Sequence, residues 1–162
     1  MDEAGLLDRL VALLGDEQVE YCVIGGQGVN AYVDPVVSLD LDIVIAASDV
    51  GRLVQRLPAD WRLERFEHSV NILAPGSDLR VQVQTDPRYQ AFLSRARSRT
   101  ILGTPLMVAT VEDVMAGKLW AVQDEARRPS KRQKDLADIA RILERYPELR
   151  AHVPRAVLDR LL

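Results

Sequence analysis

The chain has 162 residues, of which 48% are hydrophobic and 28% are charged, and its net charge is −3. This composition is ordinary for a globular protein, and the length suits one compact domain or one α/β lobe with a helical appendage. A slightly negative chain has no general attraction to nucleic acid, so any basic binding site has to be local. The single cysteine, Cys22, lies in an apolar run, which predicts a buried and unreactive thiol.

The N-terminal sequence predicts the cellular location. MDEAGLLDRL is acidic where a secretory signal is basic, and no apolar run approaches the ~20 residues of a membrane span. We therefore expect a cytoplasmic protein with no membrane partner.

The first half of the chain predicts alternating helices and strands. Asp2 is a candidate N-cap for an amphipathic helix over 3–15, and Ser48 is a candidate cap for a second one over 49–57. The turn sequence at 75–78 predicts a hairpin between the two strands that flank it. Strands are predicted at 19–24, 39–46, 61–67, 69–74 and 79–85, and one or two helical turns at 27–33.

The second half is mostly helical. Thr110 and Asp113 form a capping box before a helix over 111–126, and Pro129-Ser130 marks a break before a long helix over 131–145. The remaining predictions are helical residues at 89–95, a strand at 104–109 and a short helix at 154–161. The predicted fold class is α+β, a mixed β-sheet flanked by helices. We expect an α/β core over 1–109 and a helical C-terminal portion over 110–162 packed on it.

The most informative segment is VIGGQGVNAYVDPVVSLDLDIVI, residues 23–45. A strand ends at Gly25-Gly26, where the free N–H groups of a helix start favour an anion and glycine allows phosphate to approach the backbone. Asp40 and Asp42 lie on one face of the next strand, because side chains repeat with period two. Two adjacent carboxylates repel each other unless a cation binds between them, and Mg²⁺ also binds nucleotide phosphates.

Each half of this pattern has an ordinary explanation. Gly-Gly turns are common between strands and helices, and an Asp-x-Asp pair often lies on the solvated face of a half-buried strand. Their succession here, strand, Gly-Gly, short helix and acidic strand, is more specific. It favours a metal–nucleotide site.

Two stretches resemble a known family. Gly25-Gly26 followed by Ser38-Leu39-Asp40-Leu41-Asp42 resembles the Gly-Gly and Asp-x-Asp motif of the nucleotidyltransferase superfamily with the DNA polymerase β-like fold. Lys118 in AGKLWA, followed by Lys134-Asp135 in SKRQKDLADIARIL, resembles the AbiEii/MenT-type branch of bacterial toxin nucleotidyltransferases.

This resemblance implies an activity and a set of site residues. The activity is transfer of a nucleoside monophosphate from a nucleoside triphosphate to a hydroxyl of RNA, including tRNA, or of a protein, in a component of a toxin–antitoxin system. The implied cofactor is Mg²⁺ or Mn²⁺, bound by Asp40 and Asp42, and the implied partners are the triphosphate, an RNA or protein acceptor, and an antitoxin protein. The implied catalytic residues are Asp40, Asp42, Lys118 and Asp135, and the implied nucleotide-binding residues are Gly25, Gly26, Ser38, Arg128, Lys131, Arg132 and Lys134.

The sequence departs from the superfamily at a third carboxylate that usually follows on a later strand. The corresponding strand, 79–85, carries Gln82 and Gln84 on its polar face, and an amide brings no negative charge and takes no proton from a hydroxyl. Asp86 lies just beyond, but Pro87 follows it, which favours a turn residue. The departure leaves two functions open: an enzyme with a weakened metal site, or a nucleotide-binding or interaction protein that has lost catalysis.

The segment 127–134 contains five basic residues and no acidic one. Basic residues at a helix start oppose the helix dipole, which favours a role in binding phosphate, although a solvated turn is the alternative. Asp135 has two interpretations as well. It belongs to the site, or it pairs with Lys131 one turn earlier on the helix surface.

Overall fold

The computed structural model describes residues 3–161, without the side chains of Glu3 and Ala4. Asp2, the predicted cap of the first helix, lies outside the described residues. The helices are α1 (Glu3–Asp16), α2 (Gly25–Asn30), α3 (Val50–Arg56), α4 (Val111–Gln123), α5 (Pro129–Arg145) and α6 (Arg155–Leu158). Within the described residues, three 3₁₀ segments span Ala47–Asp49, Pro87–Arg95 and Pro147–His152.

The strands are β1 (Tyr21–Ile24), β2 (Asp40–Ile45), β3 (Arg62–Arg65), β4 (Ser69–Leu73), β5 (Arg80–Gln84), β6 (Arg97–Ile101) and β7 (Thr104–Val108). They form one mixed sheet in the order β3-β4-β5-β2-β1-β7-β6. β1 pairs with β2 in antiparallel orientation. The pairings of β2 with β5 and of β1 with β7 are parallel. This order places the Gly-Gly turn and the acidic strand at the centre of the sheet.

Two apolar clusters cover the two faces of the sheet. Val23 and Ile43 point to the face covered by α1, and their neighbours Cys22 and Val44 point to the face covered by α4 and α5. Asp42 is two residues before Val44, so its side chain is directed to the α4–α5 face. None of the described helices is long and apolar enough to cross a membrane.

Most of the predicted elements are confirmed. They include the α+β class, the strand and short helix around Gly25-Gly26, the hairpin of β4 and β5, and the Thr110 cap, whose Oγ1 accepts a hydrogen bond from Asp113 N. The predicted cap at Ser48 is wrong, because this residue lies inside a 3₁₀ turn and no side chain caps α3. The predicted break between the two long helices is confirmed, but it lies at residues 124–128 and not at Pro129-Ser130. Proline lacks an N–H and fits the first turn, where it begins α5.

Two further elements differ from the predictions. β6 was not predicted, since Arg97 to Thr100 are all exposed and show no apolar alternation. The helix predicted at 154–161 is reduced to the single turn α6, after the 3₁₀ segment Pro147–His152.

Candidate active site

A pocket opens where β1 ends, on the α4–α5 face of the sheet. Six elements (β1, β2, β5, the 3₁₀ segment Pro87–Arg95, α4 and α5) and the turn before α5 contribute side chains to it. The residues that line it are Ile24, Gly25, Asp42, Gln82, Gln84, Tyr89, Gly117, Lys118, Ala121, Arg127 and Asp135. Of the residues predicted for the site, Gly25, Asp42, Lys118 and Asp135 are therefore brought together around one cavity.

Gly25 is shaped for contact with Asp42. Its φ is +67°, a left-handed conformation that side chains disfavour. A Cβ atom at this position would also collide with Asp42 Oδ2. The Cβ position of Gly26, by contrast, is 3.8 Å from Ser38 Oγ, an ordinary contact. Gly25, and not Gly26, is the residue whose lack of a side chain the free site requires.

Asp42 faces the pocket as an unpaired carboxylate. Within the described residues its side chain accepts no hydrogen bond and forms no ion pair, and β2 places it opposite Ile24 on one side and Gln82 on the other. Burial raises the pKa of Asp42, the nearby charge of Lys118 opposes that shift, and Asp40 adds to it. An unpaired, partly desolvated carboxylate favours a bound cation.

Asp40 lies at the start of β2 in a different environment. Its Oδ1 accepts a hydrogen bond from Arg80 Nε at 3.1 Å, and its Oδ2 lies 3.6 Å from Lys131 Nζ. Ser38 fixes the backbone here, since Asp40 N donates to Ser38 Oγ at 3.3 Å. The first carboxylate of the Asp-x-Asp pair is thus paired with two cations, and the second is not.

One wall of the pocket is a cluster of charged side chains, most of them buried. Asp135 is 1% exposed; it accepts hydrogen bonds from Lys118 Nζ at 3.1 Å and, in bidentate geometry, from Arg127 at 2.9 and 3.0 Å. Lys118 Nζ also lies 2.9 Å from Asp138 Oδ2, as an ion pair without hydrogen-bond geometry. The alternative in which Asp135 pairs with Lys131 on the helix surface is wrong. Asp135 points inward, and Lys131 lies beside Asp40.

The predicted basic cluster divides into residues with different surroundings. Arg127 lines the pocket and Lys131 contacts Asp40. Arg132 Nη2 donates to the carbonyl oxygens of Asp124, Glu125 and Arg127, which closes the turn between α4 and α5. Arg128 and Lys134 are exposed, and within the described residues their side chains form no hydrogen bond or ion pair.

The position of the third carboxylate is occupied by amides. Gln82 and Gln84 both line the pocket, and Gln82 is the β5 residue paired with Asp42. Asp86 lies outside this lining and caps the following 3₁₀ segment, where Oδ1 accepts a hydrogen bond from Arg88 N at 3.1 Å. The interpretation of Asp86 as a turn residue agrees with this geometry.

Three residues near the site were not singled out as site residues from the sequence. Arg80 reaches Asp40 through the parallel pairing of β2 with β5, which no local pattern shows. Asp138 and Arg141 follow Asp135 at spacings of three, so a helical face shared with a site residue is the signal that could have indicated them.

Solved structures of nucleotidyltransferases share this fold at low sequence identity. The structure of ANT(2″)-Ia in complex with adenylyl-2″-tobramycin has a TM-score of 0.60 and 17% identity, with 96% of this chain and 97% of that chain covered. The lincosamide antibiotic adenylyltransferase LnuA, bound to lincomycin, gives a TM-score of 0.58 and 12% identity, with 84% and 95% covered. An antigenic nucleotidyltransferase-like protein from Paracoccidioides brasiliensis gives 0.55 and 19%, with 83% and 73% covered. The fold is that of the nucleotidyltransferases.

The family follows from the sequence. The family described as "Nucleotidyl transferase AbiEii toxin, Type IV TA system" matches residues 24–161. This chain belongs to that family of toxin nucleotidyltransferases. No protein of curated function matches the chain in sequence.

Proposed function

We propose that this protein is a divalent-metal-dependent nucleotidyltransferase that transfers a nucleoside monophosphate from a nucleoside triphosphate to a hydroxyl of RNA or of a protein. The observation that carries the proposal is Asp42, an unpaired carboxylate in contact with the Gly-Gly turn and close to Lys118 and Arg127. Membership of the AbiEii family supports nucleotidyl transfer as the reaction class.

The residues present fit a metal ion that arrives with its nucleotide. Asp40 and Asp42 offer carboxylate oxygens, the ligand type that Mg²⁺ and Mn²⁺ prefer. The described residues contain no group of three or more His, Cys, Asp or Glu side chains that could hold a metal ion by themselves, so we expect phosphate oxygens to complete the coordination. When bound, the ion would offset the negative charge that develops on the leaving pyrophosphate.

The cations beside the pocket bind and orient the triphosphate in this proposal. Arg127 is planar, and Asp135 holds its guanidinium against the pocket. Lys118 Nζ is fixed between Asp135 and Asp138. Because hydrogen bonds engage both oxygens of Asp135, this residue acts by positioning Lys118 and Arg127 and does not accept the proton.

Lys131 also binds the triphosphate in this proposal. It lies beside Asp40 in the free protein, and a bound triphosphate offers it a more highly charged partner. We expect Lys131 to contact phosphate when the nucleotide binds, which frees one oxygen of Asp40.

The transfer itself is a substitution at the α-phosphorus. The acceptor hydroxyl oxygen forms a bond to that phosphorus, the bond to the pyrophosphate oxygen breaks, and the hydroxyl proton leaves to solvent. Gln82 and Gln84 take no part in the proton transfer, because an amide is not a base. The complexes of ANT(2″)-Ia with adenylyl-2″-tobramycin and of LnuA with lincomycin concern antibiotics, and they support a hydroxyl acceptor without identifying the one used here.

Thermal melting with metal and nucleotide tests the site. Mg²⁺ with a nucleoside triphosphate should raise the melting temperature of the wild type, since a ligand that binds only the folded state stabilises it. Asp42→Asn should abolish the shift, and Asp60→Asn, an exposed acid away from the pocket, should keep it. An equal shift in the Asp42 variant would remove this carboxylate from the site.

The pocket also favours a second candidate, a nucleotide-binding protein without transfer activity. The specific observation is that amides, and no third acid, line the pocket beside Asp42. Incubation with each α-labelled triphosphate and with RNA or protein acceptors separates the two functions. Label incorporated into an acceptor supports the enzyme, and binding without incorporation supports the second candidate.

A further inference from the structure

A second network of polar contacts lies outside the pocket, around the segment 31–39 that connects α2 to β2. This segment contains no helix or strand, and residues 34–37 are exposed. It nevertheless delivers Ser38 and Asp40 to the site. Its position therefore depends on side chains that bind its backbone.

Two residues of α2 bind the segment. Asn30 pairs with the backbone of Val36 on both sides of its amide: Oδ1 accepts from Val36 N at 3.0 Å, and Nδ2 donates to Val36 O at 2.8 Å. Gln27, which is 1% exposed, donates from Nε2 to Ser38 O at 3.0 Å. The two side chains of α2 thus bind the backbone of the segment at Val36 and at Ser38.

Arg141 of α5 connects this network to the charged cluster in the pocket wall. Its Nη2 donates to Asp34 O at 2.6 Å and to Asn30 Oδ1 at 3.2 Å, and its Nη1 donates to Asp138 Oδ1 at 2.8 Å. Asp138 is 4% exposed, and its other oxygen faces Lys118. One guanidinium therefore joins the segment before Asp40 to the ion pair that fixes Lys118.

We infer that Arg141 is a positioning residue. It holds the segment 31–39 against α5, so that the positions of Asp40 and Lys118 relative to each other stay fixed across the site. Arginine suits this task because its planar group donates in two directions at once. The donors of a lysine share a single nitrogen, so they cannot reach acceptors as far apart as Asp138 Oδ1 and Asp34 O in the geometry of the two Arg141 nitrogens. The expected effect of Arg141 on metal and nucleotide affinity rests on the proposed function, whereas its role in positioning the segment does not.

The backbone amide of Val36 is a direct probe, since it donates to the same Asn30 oxygen that Arg141 binds. In Arg141→Gln we expect hydrogen exchange at Val36 to accelerate about tenfold or more, while exchange in β1 changes little, because opening is local. Arg145→Gln, an exposed residue one turn later, should leave Val36 unchanged. Arg141→Lys keeps the charge opposite buried Asp138 in case the glutamine variant does not fold, and it should give an intermediate rate.

The second readout is the affinity for Mn²⁺ with ATP, followed by the electron paramagnetic resonance of free Mn²⁺. We expect Arg141→Gln to weaken it roughly threefold to tenfold, with partial recovery in Arg141→Lys. Asn30→Ala should act through the same contacts, so the double variant should lose less than the sum of the single losses.

The outcomes separate the inference from the proposed function. Unchanged exchange at Val36 overturns the inference, whatever the ligand result. Faster exchange with wild-type affinity for Mn²⁺ and ATP makes Arg141 a structural residue only, and overturns its role in positioning the site. A wild type that binds no Mn²⁺ with ATP overturns the proposed function, and Val36 exchange still decides whether Arg141 fixes the segment.

Discussion

Gly25 and Asp42 are in such close contact that the first has to lack a side chain for the second to face the pocket. We predict that Gly25→Ala destabilises the protein by about 1–2 kcal/mol, because alanine is strained at a φ of +67°. The same methyl group displaces the Asp42 carboxylate. Binding of Mg²⁺ with a nucleoside triphosphate should therefore fall at least about tenfold, a change of 1.4 kcal/mol or more.

Gly26→Ala is the matched control for this change. Its added methyl group meets only Ser38 Oγ, at 3.8 Å, so urea unfolding should show little loss of stability. If phosphate approaches the backbone at Gly26, this variant binds nucleotide more weakly while remaining as stable as the wild type. Equal binding by wild type and Gly25→Ala would contradict the role given to the contact.

The raised pKa of Asp42 predicts a pH dependence of stability in the metal-free protein. Burial raises this pKa above its ordinary value of 3.8, against the opposing charge of Lys118. The folded state therefore binds the proton more tightly than the unfolded state. The stability that this group contributes is present below pH 3.8 and is lost as the pH rises through the raised folded value.

Asp42→Asn removes this dependence. At neutral pH and without metal, the variant should have a larger free energy of unfolding than the wild type, and the difference should shrink as the pH is lowered through that window. Urea unfolding over a pH series measures it. If the wild type is instead more stable than Asp42→Asn at neutral pH, the attraction of Lys118 and Arg127 for the carboxylate outweighs the cost of burying it.

Arg132 and Arg128 are neighbours in sequence with different predicted effects. Arg132→Ala removes hydrogen bonds to three carbonyl oxygens and should cost about 1–2 kcal/mol of stability. Arg128 is exposed, so Arg128→Ala should change stability by less than about 0.5 kcal/mol. If Arg128 contacts RNA phosphate, its removal lowers the salt-dependence slope of binding by about 1. Filter binding at several salt concentrations decides this.

The elements that local chemistry specifies could be predicted from the sequence. Asp40 and Asp42 alternate with buried apolar residues, and Thr110 is followed by Asp113 at the spacing of a cap, so strand and helix follow from neighbouring residues alone. β6 could not be predicted, because an exposed edge strand such as Arg97–Ile101 needs no apolar face. Its partner β7 supplies the pairing, and that contact is not visible in its own sequence.

Some contacts of the site could likewise be predicted from the sequence, and others could not. Gly25 and Asp42 are close in sequence, and their contact follows from one antiparallel pairing. Arg80 reaches Asp40 only through a parallel pair separated by 40 positions, and Arg141 reaches Asn30 across 111 positions. The charges of these arginines were visible in the sequence, but the partners depend on the packing of whole elements.

Cys22 should be unreactive in the folded protein. Burial, with a smaller contribution from the charge of Asp113, raises the pKa of its thiol to about 12, and only the thiolate reacts. Labelling by a thiol reagent at neutral pH should therefore follow urea unfolding. Rapid labelling without urea would show that β1 opens locally. Cys22→Ala provides the baseline for the reagent.

The pairing of Gln82 with Asp42 in β5 and β2 makes the missing carboxylate testable. We predict that wild-type transfer onto generic acceptors is weak and that Gln82→Asp increases it, because a carboxylate adds charge for the metal and accepts a proton. Without metal, Gln82→Asp should lower stability by like-charge repulsion with Asp42, and Mn²⁺ should restore it. The measurement follows label from α-labelled triphosphate into RNA or protein, together with melting temperatures with and without Mn²⁺.

Three variants control this experiment. Gln84→Asp adds the same charge two residues along the strand, opposite Val44, and Asn71→Asp adds it one strand further from Asp42. If only Gln82→Asp increases transfer, residue 82 is the position that faces the metal. If only Gln84→Asp increases transfer, that position is residue 84. Asp86→Asn keeps an oxygen that can cap the 3₁₀ segment and removes only the charge, which pairs with Arg88 Nε at 3.5 Å, so it should change both stability and transfer little. If the wild type transfers efficiently and Asp86→Asn abolishes that activity, Asp86 is the third carboxylate and its assignment as a turn residue is wrong.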